Sequence, residues 1–339
     1  MNIPADTVMT SEVRVTPSGG SHGCDIFCSI SVRGKEGVVM REIEEIGDVE
    51  KRYEVLDMVG DGGQGDLFLG RDRRSGERVA LKLQKARDLG PESVFRCAGD
   101  NLLEEGSHMM MLSGIQAIPE IVAAGTHRGR RCLVMEFVEG HQLQNVLLAA
   151  RPVRHPGTVA SVIGQLCEIL REVHDRNLVH CDLKPENVIV QPDGRLRLID
   201  MGHAIVAGEE TYFERGTRGW ASPEQSDACP QGLTRRADIF GLGCILLEMT
   251  VMRLPYGGLE ERAEPGGPVL PADLLAKLPP EFASLALWMV RWEAEERPAD
   301  VREVFDRLRP YLPRLGSRRP SRRLRPDPTE YYRTHPPRL

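Results

Sequence analysis

Apolar and polar residues alternate from Cys24 to Arg33, where Ile26, Cys28, Ile30 and Val32 interleave with Asp25, Ser29, Ser31 and Arg33, the period of a half-buried strand. Gly34 to Gly37 supplies a turn, and Val38 to Ile46 reads as the returning strand of a small hairpin. Three more strand-like runs follow, Tyr53 to Val59, Leu67 to Arg71 and Arg78 to Leu83, separated by glycine-rich turns. Residues 92–112 read as a helix ending near Ser113 and Gly114, and Arg131 to Val138 as another strand. Beyond Gly140 the pattern changes to long apolar helices at 158–176, 234–252, 281–292 and 299–309, interrupted by β-like runs at 188–190 and 196–199. The expectation is an α+β chain with a small β-rich lobe over 51–138 and a larger helical lobe over 139–310. An extension at 1–50, with its hairpin at 24–46, precedes them.

The chain has 339 residues, 41% hydrophobic and 28% charged, which excludes collagen, coiled coil and wholesale disorder. The longest apolar stretch, Ile239 to Leu247, is too short to span a bilayer, and Met1 to Thr10 lacks a basic start and carries Asp6, unlike a signal peptide. A cytoplasmic protein is expected. The eight cysteines lack paired spacings and read as free thiols, and His22, Cys24 and Cys28 have no second pair at zinc spacing. Charge is uneven: residues 1–50 hold 4 basic and 9 acidic side chains, whereas 314–339 hold 8 Arg against Asp327 and Glu330. That Pro- and Arg-rich tail, 311–339, has too little apolar content to join a core and is expected to be disordered, free to contact an acidic partner. With only Tyr331 and Tyr332 as interleaved aromatics it is not a nucleic-acid site.

Gly60, Gly62 and Gly65, in VGDGGQGDLFLG, lie between two strand-like runs, where backbone without Cβ can approach a phosphate. A dinucleotide fold needs a helix after the third glycine, and Asp66 to Arg71 reads as strand instead. Lys82 follows seventeen residues after Gly65, pointing opposite to Val79 and Leu81. It needs a counter-charge, and Glu105 is favoured over Glu104 because Met109 and Leu112 share its helix face. In VHCDLKPENVIV, His180, Asp182, Lys184 and Asn187 fall within eight residues, and Asp200 follows in RLRLIDMGHA. Phosphoryl transfer needs a cation held by hard oxygen ligands (Asn187, Asp200), a positive charge near the γ-phosphate (Lys184) and a carboxylate for the attacking hydroxyl (Asp182).

In these motifs the sequence resembles the eukaryotic-type (Hanks-type) serine/threonine protein kinases over about residues 51–310. The matching segments run in family order: the Gly-rich loop, Val79 to Lys82, Glu105, LVMEFVEG at 133–140, HCD at 180–182, DMG at 200–202, GTRGWASPE at 216–224, Asp238 in ADIFGLG and Arg297 in ERP. The resemblance implies a bilobal fold and transfer of the ATP γ-phosphate to Ser or Thr of protein substrates in a signalling role, with Mg2+ or Mn2+ as cofactor. It also implies Met135 as gatekeeper, backbone groups of Glu136 and Val138 on adenine, Leu67, Ala80 and Ile189 around the ring, and Thr217 beside Asp182 and Lys184. Asp238 would brace the catalytic loop, and Glu224 would pair with Arg297. A pseudokinase scaffold keeps the fold without Lys82, Asp182, Asn187 and Asp200 all in place, and a small-molecule phosphotransferase lacks the 216–224 segment. Two departures stand out: Cys181 replaces the arginine before the catalytic aspartate, and Met201 replaces phenylalanine. His203 reads as a loop residue, and Trp220, Trp288 and Trp292 as core aromatics.

Overall fold

The computed structural model describes residues 31–34, 37–40, 43–62, 65–85, 97–149, 152–211, 214–225, 231–257, 270–321 and 323–339. These fall into two compact units, Met1–Ser113 with Glu120–Phe137, and Gly114–Pro119 with Val138–Leu339. Residues 114–119 thus leave the β-rich unit to which the sequence assigned them. Their carbonyls explain it: Ala117 O accepts from Leu198 N at 2.8 Å, and Ile118 O from Arg197 Nη2 at 3.3 Å.

In the first unit, β1 (Ser31–Gly34) and β2 (Gly37–Met40) pair antiparallel, with Gly34 opposite Gly37. The rest of the expected first strand and the zinc candidates His22, Cys24 and Cys28 lie outside the described residues. The returning strand is shorter than expected, because Glu44–Asp48 forms a separate strand, β3. A six-stranded sheet follows with β4 (Tyr53–Gly62), β5 (Gly65–Asp72), β6 (Arg78–Leu83), β7 (Ile121–His127) and β8 (Arg130–Glu136), in the order β3-β7-β8-β6-β5-β4. Only β3 and β7 run parallel. Their approach depends on Gly125, where a Cβ would collide with the Ile46 carbonyl. Val79, Leu81 and Leu83 of β6 point into an apolar cluster with Val49, Tyr53, Ala123, Cys132 and Val134, leaving Ala80 and Lys82 on the other face. The helix α1 (Cys97–Met111) buries Leu102 and Met109.

The second unit contains β9 (His141–Gln142), α2 (Leu143–Leu148), α3 (Pro156–His174), β10 (Leu178–Val179), β11 (Val188–Val190), β12 (Leu196–Leu198), β13 (Ile205–Val206), α4 (Arg236–Val251), α5 (Ala272–Leu275), α6 (Pro280–Met289), α7 (Val301–Leu308) and α8 (Thr329–Thr334). Helix α4 is buried nearly all round, which accounts for its apolar sequence, and no helix of the described residues is long and apolar enough to cross a membrane. Strand β11 pairs with β12 and β9, while β10 pairs with β13; together they frame the loop at 180–187. Trp220 is buried as expected, but Trp288 and Trp292 are only half-buried, the first under the Arg307 guanidinium and the second edge-on to Tyr256.

The tail is ordered, against expectation. Tyr331 and Tyr332 are buried, and Tyr332 lies over Gly164 of α3, where a Cβ would stand 3.1 Å from its hydroxyl. Gln165 Nε2 donates to Pro328 O at 3.1 Å, and Arg338 N donates to Glu168 Oε1 at 2.8 Å. Arg319 and Arg333 both pair with Glu330, at 3.0 and 2.7 Å. Composition misleads because a few buried aromatics and backbone bonds suffice to hold a strap that a larger core already supports.

Candidate active site

On the sheet face opposite the apolar cluster the first unit holds a buried ion pair between β6 and α1. Lys82 Nζ lies 2.8 Å from Glu105 Oε1 and 2.7 Å from Oε2, so Glu105, not Glu104, receives the ammonium. Ladder pairing sets Lys82 opposite Leu67 on one side and Leu133 on the other, and Ala80 opposite Leu69 and Met135. Leu67 and Ala80 are half-buried, and Met135 is buried. At Gly65 a Cβ would press on Leu83 O at 2.9 Å and Lys82 Cγ at 3.2 Å, so internal packing alone requires that glycine. Gly60 is different: its nearest neighbour would be Leu67 Cβ at 3.6 Å, ordinary contact, so packing leaves room for a side chain. Gly62 closes the β4–β5 hairpin opposite Gly65. Glu136 N donates to Glu120 O at 2.8 Å, so any adenine contact from its backbone falls to the carbonyl.

The second unit carries the rest. Val138 is half-buried, and Gly140, at φ 148°, brings the chain so close to β11 that a Cβ would meet Val190 O at 2.5 Å and Ile189 Cγ2 at 2.7 Å. Beyond β10 the chain turns through Cys181 at φ 64°, a left-handed conformation that a non-glycine residue adopts only under constraint. The constraint is Asp238 of α4, which accepts His180 N and Cys181 N, each at 2.9 Å, while His174 Nε2 lies 2.8 Å from the same carboxylate. Burial would raise the Asp238 pKa, but His174 and the backbone donors hold it below the usual range.

Asp182 is the focus of the loop. Its Oδ2 accepts from Lys184 Nζ at 2.8 Å and Asn187 Nδ2 at 3.0 Å, and its Oδ1 accepts from Thr217 Oγ1 at 2.7 Å. Lys184 Nζ also donates to Thr217 Oγ1 at 2.6 Å, closing a triangle of side chains. Burial pushes the Asp182 pKa up, yet the charges of Lys184 and His203 and these hydrogen bonds outweigh it, and the net direction is down. The group is a carboxylate at neutral pH. Asn187 Nδ2 additionally donates to Asp182 O at 2.8 Å, which commits the amide nitrogen and turns Oδ1 to other partners. Asp200, also left-handed at φ 67°, accepts Gly202 N on Oδ1 at 3.2 Å. The Asp200 carboxylate and the Asn187 carboxamide oxygen are hard donors, of the kind Mg2+ takes. Among the described residues no cluster of three His, Cys, Asp or Glu side chains could hold a metal instead.

Met201, in place of phenylalanine, is buried. Cys181 packs with Val179, Ile205, Leu233 and Ala237, and burial raises its thiol pKa far above the ordinary value, so it is a neutral core residue. His203 does more than fill a loop, since its Nδ1 accepts Gly216 N at 3.1 Å. Gln225, which sequence reasoning passed over, is buried with its amide between two backbone carbonyls. Nothing in a lone glutamine after the 216–224 segment signals this.

A two-unit chain with a Lys–Glu pair on its sheet and an Asp–Lys–Asn–Thr constellation on its helical unit defines a protein kinase scaffold. Residues 53–306 match the family described as protein kinase domain, and the chain belongs to the Hanks-type serine/threonine protein kinase family. It is 30% identical over 281 residues to serine/threonine-protein kinase Pkn2 of Myxococcus xanthus, covering 77% of this chain and 32% of that protein. It is likewise 30% identical over 262 residues to Pkn1 of the same organism, covering 70% and 36%, and 27% identical over 219 residues to PrkC of Bacillus subtilis, covering 62% and 32%. The chain therefore spans about a third of the length of these relatives.

Proposed function

We propose that this chain is an ATP-dependent serine/threonine protein kinase that phosphorylates Ser and Thr hydroxyls of cytoplasmic proteins in a signalling role. The single observation that carries the reading is the buried Asp182 carboxylate, kept ionised and aimed by Lys184, Asn187 and Thr217. Asp182 accepts the proton of the attacking hydroxyl as its oxygen bonds to the γ-phosphorus and the bond from that phosphorus to the β,γ-bridging oxygen breaks, releasing ADP, and Lys184 neutralises charge on the transferred group. Lys82, fixed by Glu105, orients the α- and β-phosphates under the loop of Gly60, Gly62 and Gly65. In the first unit Leu67, Ala80 and Met135 offer apolar surface to the adenine and the backbone of Glu136 a polar group, and in the second Ile189 and the backbone of Val138 are suited to the same roles. Asn187 and Asp200 would hold Mg2+, or Mn2+ in its place, which supplies charge neutralisation on the phosphates when bound.

The test is incubation with labelled ATP and a generic protein substrate, followed by phosphoamino-acid analysis. Phosphoserine or phosphothreonine is expected, with loss of about 100-fold or more in kcat for Asp182→Asn and Lys82→Ala. Label transfer to a small-molecule alcohol and not to protein, or full activity in Asp182→Asn, would overturn the assignment.

A further inference from the structure

Two peptide planes lie close along the chain to the contact between Asp182 and Thr217. One is the Cys181–Asp182 peptide, whose N–H donates to His180 Nδ1 at 3.2 Å. The other is the Arg215–Gly216 peptide, whose N–H donates to His203 Nδ1 at 3.1 Å. Their carbonyls converge on one group: Gln225 Nε2 donates to Cys181 O at 2.6 Å and to Arg215 O at 3.3 Å. Gln225 Oε1 meanwhile accepts Ser222 N at 3.0 Å and Ser222 Oγ at 2.9 Å, so both donors and both lone pairs of the carboxamide are used. The backbone closes the same join, with Arg215 N donating to Gln225 O at 3.1 Å. Gly216 is obliged to be glycine here: it sits at φ 84°, and a Cβ would stand 3.0 Å from Gln225 Nε2.

We propose that Gln225 is a positioning residue for phosphoryl transfer, whose carboxamide locks the catalytic loop to the segment bearing Thr217 through neutral hydrogen bonds alone. The inference rests on the kinase reading for its consequence and on geometry for its substance. The first clamped peptide is bonded directly to the Cα of Asp182, and the second lies one residue, Gly216, before Thr217, whose hydroxyl stands 2.7 Å from the Asp182 carboxylate. Releasing the two carbonyls lets both planes rotate and lengthens that contact. The effect falls on the chemical step, because no atom of Gln225 belongs to the nucleotide-binding set. Gln225 hangs on the same turn as Glu224, which Arg297 anchors with bonds of 2.6 and 2.8 Å, so the strut has a fixed base.

Gln225→Met keeps length and volume and removes both donors. A matched control exists in Gln165, an equally buried glutamine whose Nε2 donates to Gly194 O at 3.0 Å and Pro328 O at 3.1 Å and whose Oε1 accepts Leu196 N at 3.0 Å, all remote from Asp182 in the chain's hydrogen-bond network. Both variants should lose thermal stability to a similar degree. Gln225→Met should lower kcat about 100-fold with KM for ATP within about twofold, whereas Gln165→Met should retain kcat. Amide exchange at Asp182 and Gly216 should rise about tenfold in Gln225→Met only. Gln225→Asn, which keeps the amide and shortens its reach, should show a smaller change in the same direction and serves if the methionine variant does not fold. Unchanged kcat with unchanged exchange at Asp182 and Gly216, or a kcat loss that merely tracks melting temperature as in the control, overturns the proposal. If the wild-type chain phosphorylates nothing, the kinase reading fails by itself, and the exchange comparison still decides whether Gln225 clamps the two peptides.

Discussion

Arg297 grips Glu224 with two parallel hydrogen bonds, Nη1 to Oε1 at 2.6 Å and Nη2 to Oε2 at 2.8 Å. Its three remaining donors reach the carbonyls of Arg291, Arg236 and Trp292 at 2.7, 3.1 and 2.8 Å. All five N–H groups of a fully buried guanidinium are therefore satisfied, a task only arginine's planar fork performs.

Removing that arginine should be costly. Arg297→Ala strands a carboxylate and three carbonyls, and a loss of about 3 to 5 kcal/mol is expected. Arg297→Lys should recover little, since an ammonium offers three donors in the wrong geometry. Chemical denaturation of both variants checks this, and a lysine variant as stable as wild type would show that charge and not the fork matters.

Acid should unfold the protein through its buried aspartates. Burial raises the pKa of Asp182 and Asp238, but Lys184 and His203 for the first, and His174 for the second, bring each below the usual carboxylate range. A carboxyl group with a depressed folded pKa contributes stability that is full above its unfolded pKa, about 3.9, and is lost as pH falls through the folded value. Melting temperature should thus hold from neutral to about pH 5 and decline below about pH 4. Glu168 runs the opposite way, because burial raises its pKa despite the Arg338 contacts. Glu168→Gln keeps an acceptor for Arg338 N and should raise melting temperature at pH 7. A fall instead would mean that the ion pair with Arg338 outweighs desolvation.

The ordered tail makes a further demand on stability. Tyr332 is fully buried, and Tyr332→Ala should cost about 3 kcal/mol, in line with the removal of other large core aromatics. Deleting residues 316–339 should lower the melting temperature and open α3 to proteolysis. A truncated chain that melts like the full one would show that the strap adds nothing.

How much was legible beforehand follows from how locally each feature is encoded. Asp182, Lys184 and Asn187 announce themselves because one short loop must deliver all three to the same point, whereas Thr217 lies 35 residues from Asp182 and emerges only from the ordered series of motifs. The helix face carrying Met109 and Leu112 was enough to choose Glu105 over its neighbour. Three features were hidden. The parallel pairing of β3 with β7 depends on one distant glycine, Gly125. The tail's arginines masked the two tyrosines that dock it. Gln225 acts on backbone carbonyls, which leave no trace in a sequence.

The last expectation concerns phosphate on the activation segment. In kinases switched by such phosphate, the arginine before the catalytic aspartate neutralises it, and the new ion pair orders the loop. Here that position is Cys181, an uncharged thiol inside an apolar cluster. Thr211 is 3% exposed, so a phosphate there would have to enter the interior or expel the segment, either of which costs more than a surface modification. Tyr212 and Phe213 lie outside the described residues, and Phe213, at the position four before Thr217, has no hydroxyl to accept phosphate. The segment is instead tied by neutral bonds from Gly216 N to His203 and from Gln225 to Cys181 O and Arg215 O, and by the bonds of Thr217 with Asp182 and Lys184. Phosphatase treatment, Thr211→Val and Tyr212→Phe should therefore each leave the initial rate within about threefold of the untreated enzyme, while Thr217→Ala should lower kcat about 100-fold because it removes a direct partner of Asp182. A rate that collapses on dephosphorylation and returns with autophosphorylation would place the switch on phosphate after all, and the neutral ties could then only assist it.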